Sequence, residues 1–251
     1  MLDERFAYGS SPLHTLDPRA KICAATAFSC VVAVCQQFPV LLAALGLGAV
    51  VLLSGGLPLR AVLKRLLAVN IFILLLWIVV PFSMPGTPVF SVLGFTATQE
   101  AINLTTRITI KSNAIILVLT ALIATTPVPA LGHALRKLHV PQKLGWLLIF
   151  TYRQIFIIAK EFQRLSAAMK VRGFTPRTNM HTYRAYASLL GMVLVRSLDR
   201  SERVYQAMVC RGFNGAFHSL NGLAMTTRDV VFLALMLALT CALAAGELLI
   251  P

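Results

Sequence analysis

Acidic side chains are scarce in this chain: nine Asp and Glu stand against 23 Lys and Arg among 251 residues. Charge of either sign is scarce as well, at 13%, where a soluble domain carries about a quarter. With 57% hydrophobic residues and a mean hydropathy of +0.77, these shortages exclude an ordinary soluble globule. They define an all-α integral membrane protein. The formal net charge of +14 then reads as cytoplasmic loops obeying the positive-inside rule, with no nucleic-acid partner expected.

Groups that do chemistry are missing in combination. The five cysteines, Cys23, Cys30, Cys35, Cys210 and Cys241, show no Cys-x-x-Cys spacing and fall mostly in apolar runs, as small buried hydrophobes do. The five histidines, His14, His133, His139, His181 and His218, never pair at the i, i+4 spacing of a helical metal site. No glycine-rich phosphate loop precedes a lysine, so ATP binding through such a loop is not expected of this chain. The apolar runs carry Asp and Glu only at their edges, which argues against a proton- or sodium-coupled carrier. No catalytic residues, metal ligands or cofactors are therefore assigned.

What is present is a series of apolar runs divided by turn and charge signals. Asp17 followed by Pro18 is a helix start, a capping residue and then proline at the first helical position. Asp3 and Glu4, with no short basic region and no clear cleavage site, mark the first apolar run as a retained span and not a signal peptide. Ala20–Cys35 and Val40–Leu53 are short against the roughly 20 residues that a span needs. They fit two helices joined at Gln36, Gln37 and Pro39, with Gly46 and Gly48 permitting close packing. Arg60, Lys64 and Arg65 mark a cytoplasmic loop after Gly55-Gly-Leu-Pro58, and Leu66–Phe82 is the clearest early span. Ser83–Gln99, with Pro85, Gly86 and Pro88 and no Lys or Arg, reads as an external loop. The fourth span begins between Ala101 and Thr109 and ends near Thr126. Arg107 and Lys111 at its outer end are exceptions to the charge rule, accommodated by snorkelling or by a neighbouring helix, or else lining a substrate path.

After Pro127 and Pro129 the regime changes. Fourteen of the 23 basic residues lie between Arg136 and Arg211, against Glu161, Asp199 and Glu202. A short amphipathic helix through Leu131 and Leu138 ends at Pro141. Two long helices, Gln142–Arg172 and Met180–Arg211, follow at the cytoplasmic boundary, each apolar first and basic later. Val230–Ile250 is the last span. The expected organisation is a membrane region 1–126 of four spans, a cytoplasmic region 127–227, and a fifth span in 228–251.

The stretch Gln142–Gly215 contains one phrase twice, 39 residues apart: Ala168-Met-Lys-Val-Arg-Gly-Phe174 and Ala207-Met-Val-Cys-Arg-Gly-Phe213. Gly173 and Gly212 stand where a helix C-terminus favours positive φ, and Arg172 and Arg211 stand in the last turn, where the helix dipole favours a cation. One Arg-Gly at a helix end is ordinary capping chemistry. Two, each with Ala-Met before and Phe after, suit docking into two similar partners or the two halves of a dimer, because an arginine can grip a carboxylate bidentately.

The twin phrases resemble the Ala-Arg-Gly signatures of the T components of energy-coupling-factor transporters, with Val171 and Cys210 in the place of the alanine. Leu16-Asp-Pro-Arg-Ala-Lys21 also fits that family, and Val195–Met208 is similar to its cobalt-type branch, CbiQ. The resemblance covers the whole chain. It implies about five transmembrane helices plus long cytoplasmic coupling helices, in a multi-pass subunit of the bacterial inner membrane with a cytoplasmic N-terminus. It further implies that Val171, Arg172, Gly173 and Phe174, with Cys210, Arg211, Gly212 and Phe213, dock two ATP-binding-cassette ATPases. A substrate-binding membrane subunit of the CbiM type, with a small accessory membrane subunit, would handle the cobalt ion. Nickel or vitamin importers are the alternatives within the family. A membrane enzyme acting on lipid head groups is the alternative outside it; the basic face suits anionic lipid, but the duplicated phrase would go unexplained.

Overall fold

Asp17 starts the first long helix by accepting a hydrogen bond from the Arg19 N–H at 2.8 Å, with Pro18 at the first helical position. The computed structural model describes residues 9, 11–83, 87–92, 95–138, 140–213 and 225–249. The described chain runs α1 (Pro12–Thr15), α2 (Pro18–Val34), α3 (Phe38–Ser54), α4 (Leu59–Ser83), β1 (Pro88–Val92), β2 (Phe95–Thr98), α5 (Gln99–Leu122), α6 (Val128–Lys137), α7 (Gln142–Val171), α8 (Met180–Cys210) and α9 (Thr227–Leu249). The five expected spans are α2, α3, α4, α5 and α9. By length and apolarity, Leu59–Pro81, Gln99–Leu122 and Thr227–Leu249 can each cross a bilayer. α2 and α3 have 17 residues each, about 25 Å, at the lower limit of length for a span, and of the two only α3 is apolar throughout.

Four details differ from the sequence expectation. α5 begins at Gln99, ahead of the expected window Ala101–Thr109, because the helix starts directly after Thr98 of the hairpin. The loop after α4 contains a short antiparallel hairpin, β1 paired with β2 in the register Val92 to Phe95, within an otherwise helical protein. Arg60, Lys64 and Arg65 lie not in a loop but on the first two turns of α4. That helix starts at once after Pro58, whose carbonyl accepts from Ala61 N–H at 2.9 Å, because nothing after it breaks a helix. Of the two glycines in α3, only Gly48 makes a close approach. A Cβ there would stand 3.2 Å from the Ala114 carbonyl oxygen and 3.3 Å from the Leu117 Cβ, whereas one at Gly46 would meet nothing within 4 Å. His139 and His218, like Asp3, Glu4, Pro85, Gly86 and Gly215, lie outside the described residues.

The chain divides into two compact units, residues 2–138 with 223–251, and residues 139–222. In the first, α5 packs on α3, α4 and α2, while α2 also meets α9 and α6. The core between these helices includes Phe28, Val32, Leu41, Val118, Leu122 and Met236. Polar groups help fasten α4 to α5: Asn70 and Asn113 exchange side-chain amide hydrogen bonds at 3.1 and 3.2 Å, and Trp77 Nε1 donates to Thr109 Oγ1 at 3.1 Å. In an apolar surrounding such pairs hold helices that hydrophobicity alone would not.

The two cations at odds with the charge rule prove to be helix-end devices. Lys111 Nζ donates to the Ala33 carbonyl at 2.9 Å, placing a cation at the C-terminus of α2, where the dipole is negative. Arg107 lies over the Phe38 ring, 5.1 Å from its centroid. Glu247 completes this end of the bundle by accepting from the backbone N–H groups of Gln36 and Gln37 at 2.7 and 3.1 Å. It supplies an acceptor to donors at the start of α3 that α3 itself cannot satisfy.

Candidate functional site

The duplicated phrase is a duplicated helix ending. At the end of α7 the Phe174 N–H reaches back to the Met169 carbonyl at 3.1 Å and the Gly173 N–H to the Lys170 carbonyl at 3.0 Å. At the end of α8 the Phe213 N–H bonds the Met208 carbonyl at 3.0 Å and the Gly212 N–H the Val209 carbonyl at 2.9 Å. Both are Schellman motifs, and Gly173 and Gly212 have φ of +79° and +80°, as such a cap requires. The repeated Met and Phe occupy the two positions that commonly make the accompanying apolar contact, and all four are half-buried. Capping therefore accounts for Met, Gly and Phe. The residues between are given no packing role by the cap, although the helix dipole favours the arginines there.

Those residues are outside. Val171 is 89% exposed, and Arg172, Gly173, Cys210, Arg211 and Gly212 are exposed as well. The phenylalanines do not project freely: Phe174 packs edge-on against Tyr186, with centroids 5.8 Å apart, and lies 6.3 Å from the His181 ring. Each helix end thus offers an apolar residue and an arginine on a pre-formed turn.

The two ends are not brought together. α7 and α8 are antiparallel neighbours: Leu165, Ala168 and Met169 face Ala185, Ser188, Leu189 and Met192 across one groove, and Gln154, Ile157 and Ile158 face Ser197 and Arg200 further along. The first end, at Arg172, accordingly lies beside the start of α8, and the second, at Arg211, at the opposite end of the pair. The groove beside the first end has a volume of about 630 Å³, and Arg164, Arg172 and Arg196 line it. Between the two clefts the Arg196 guanidinium pairs with the Glu161 carboxylate. That hydrogen bond holds the Glu161 carboxyl below its usual range despite partial desolvation, and Arg164 and Arg200 act in the same direction.

A second polar cluster, which the sequence did not single out as a unit, occurs in the helix bundle. Asp229 at the start of α9 accepts from the Asp17 N–H at 2.8 Å and from Thr226 through both N–H and Oγ1, at 2.8 and 2.7 Å. Lys21, 1% exposed, donates to Thr126 Oγ1 at 3.2 Å. Asp17 and Asp229 are thus two buried carboxyl groups at one bundle end, 6% and 3% exposed. Asp229 joins α9 to the start of α2, and Lys21 of α2 joins the segment after α5. The signal was the family-like Leu16–Lys21 phrase, whose partner 212 residues away is invisible to local reading. Among the described residues no three His, Cys, Asp or Glu gather as a metal site.

Fold and site define a class, a multi-pass helical membrane protein bearing a pair of long helices with matched, exposed ends. The model of a cobalt transport protein family, CbiQ, matches residues 9–223, and the chain belongs to that family. It is similar to the cobalt transport protein CbiQ of Rhodobacter capsulatus, 33% identical over 129 residues that cover 51% of this chain and 52% of the relative. The chain thus aligns with about half the length of that relative. It is also similar to the energy-coupling factor transporter transmembrane protein EcfT of Leuconostoc gelidum, 28% identical over 84% of this chain and 83% of the relative. Nickel permease LarQ of Lactiplantibacillus plantarum is 30% identical over 44% of this chain and 40% of the relative. The protein is a transmembrane component of a transporter of the cobalt and energy-coupling-factor type.

Proposed function

We propose that the chain is the coupling subunit of an ATP-driven importer, non-catalytic itself, with α7 and α8 transmitting the motion of two ATPase subunits to a separate substrate-binding membrane subunit. The observation that carries this reading is the pair of Schellman-capped ends, each displaying an arginine that no capping contact requires. A fixed cap holds the guanidinium at low entropic cost, and the planar fork can bind a carboxylate bidentately. Because the two ends lie at opposite ends of an antiparallel pair, one chain can hold two similar partners at once. On this reading Val171, Arg172, Gly173 and Phe174 form one docking element and Cys210, Arg211, Gly212 and Phe213 the other. The basic region 127–227 faces the cytoplasm, as does the N-terminus.

The cargo is cobalt ion, which the matched family's description and the Rhodobacter relative support; nickel is the alternative supported by similarity to the nickel permease. The metal is a substrate of the partner subunit and needs no ligand set here. Arg172→Glu and Arg211→Glu test the docking. Each is expected to leave membrane insertion intact and to lower ATP-driven cobalt uptake by tenfold or more, the equivalent of roughly 1.4 kcal/mol or above. Co-purification of the ATPases in mild detergent checks the cause. Uptake and co-purification unchanged in both variants would remove the docking reading.

A further inference from the structure

Resting on that docking reading, we infer that Glu161 is a positioning residue: its pairing with Arg196 fixes the crossing of α7 and α8 and so the spacing of the two arginine-bearing ends. Glu161 is the sole carboxylate of α7, and it meets α8 at the boundary between the two interhelix clefts. Its side chain is 17% exposed and that of Arg196 is 47% exposed, so the contact sits at the surface of the helix pair, where it can be broken and remade. On one side of it, the groove of about 630 Å³ is bordered by the small residues Ala168, Ala185 and Ser188. Helices packed side chain into side chain along their length resist a change of angle; these two leave room for one.

The geometry gives the pair leverage. Arg172 lies eleven residues beyond Glu161 and Arg211 fifteen beyond Arg196, roughly 16 and 22 Å along their helices. Turning the pair by about 10° around this contact would move the two ends by roughly 3 and 4 Å, enough to break a bidentate contact. Without the carboxylate, Arg164 of α7 would face Arg196 and Arg200 of α8 with no acidic group left on α7 to offset them, which weakens the hold between the two helices.

The test uses the full complex with its ATPases in proteoliposomes, with Co²⁺ as the transported probe and ATP hydrolysis read in parallel. Glu161→Gln and Arg196→Glu are expected to retain the ATPases while cobalt taken up per ATP hydrolysed falls about fivefold or more, the lower end of ordinary coupling between sites. The exchanged pair, Glu161→Arg with Arg196→Glu, is expected to restore that ratio. An unchanged ratio in Glu161→Gln, with the complex assembled, overturns the assignment. Where a single variant loses the ATPases outright, the exchanged pair decides: recovery of both complex and ratio supports the assignment, and no recovery overturns it. A wild-type chain that never retains ATPases would sink the docking reading first, and Glu161 would then have no ends to position.

Discussion

Gly173 and Gly212 show how much of the site is backbone chemistry. Neither has a neighbour that a Cβ would touch within 4 Å, so the demand for glycine comes from φ near +80° alone. Gly173→Ala and Gly212→Ala are each expected to cost about 1–2 kcal/mol of local helix-end stability. Faster hydrogen exchange at the Phe174 and Phe213 amides would report it, and Asn at either position should cost less. The sequence made these caps legible because a Schellman motif is written in consecutive residues. It could not separate the capping role of Met169, Met208, Phe174 and Phe213 from the exposed role left to Arg172 and Arg211. Burial separates them, and burial depends on what lies across the groove. Glu161 was legible only as one of three acids in a basic region for the same reason: its partner is 35 residues away, on another helix.

Among elements, α3 and α5 show what close approach demands. Gly48 lies buried against Ala114, Leu117 and Val118 of α5, whereas Gly46 points to open space. Gly48→Leu is expected to destabilise the bundle by about 1–3 kcal/mol through overpacking, and Gly46→Leu to be nearly neutral. Thermal unfolding of the two detergent-purified variants would distinguish them. The sequence offered both glycines as equals, since which face of a helix meets a neighbour is settled only by the packing. Arg107 and Lys111 make the same point with charge: a rule about loops placed them as exceptions, and the ends of α2 and α3 account for them. So does Asn70 with Asn113, where two polar residues in different apolar runs satisfy each other.

For the whole molecule, the two units differ in how much core they own. Of the buried apolar side chains described, only Leu189 and Val193 belong to α7 and α8; the rest lie in the bundle unit. Two long helices with so little buried between them gain little stability from packing on each other, and on the docking reading they would gain more from their partners. Hydrogen exchange on the detergent-solubilised chain should therefore show α2, α3 and α5 as the slow regions and α7 and α8 as fast. Adding ATPases should slow α7 and α8 most; no change there would contradict the proposed docking role. The sequence by itself determined the membrane class, the order of the helices, the ends of α7 and α8, and the twin caps. Each follows from hydrophobic runs, turn residues or hydrogen bonds spanning at most a few positions. Only the tertiary structure decided that Asp229 fastens Asp17, that Glu161 meets Arg196, that Gly48 and not Gly46 is needed, and that the two arginine ends lie far apart. These rest on pairings between distant segments, set by which helix faces pack, and local sequence carries no record of them.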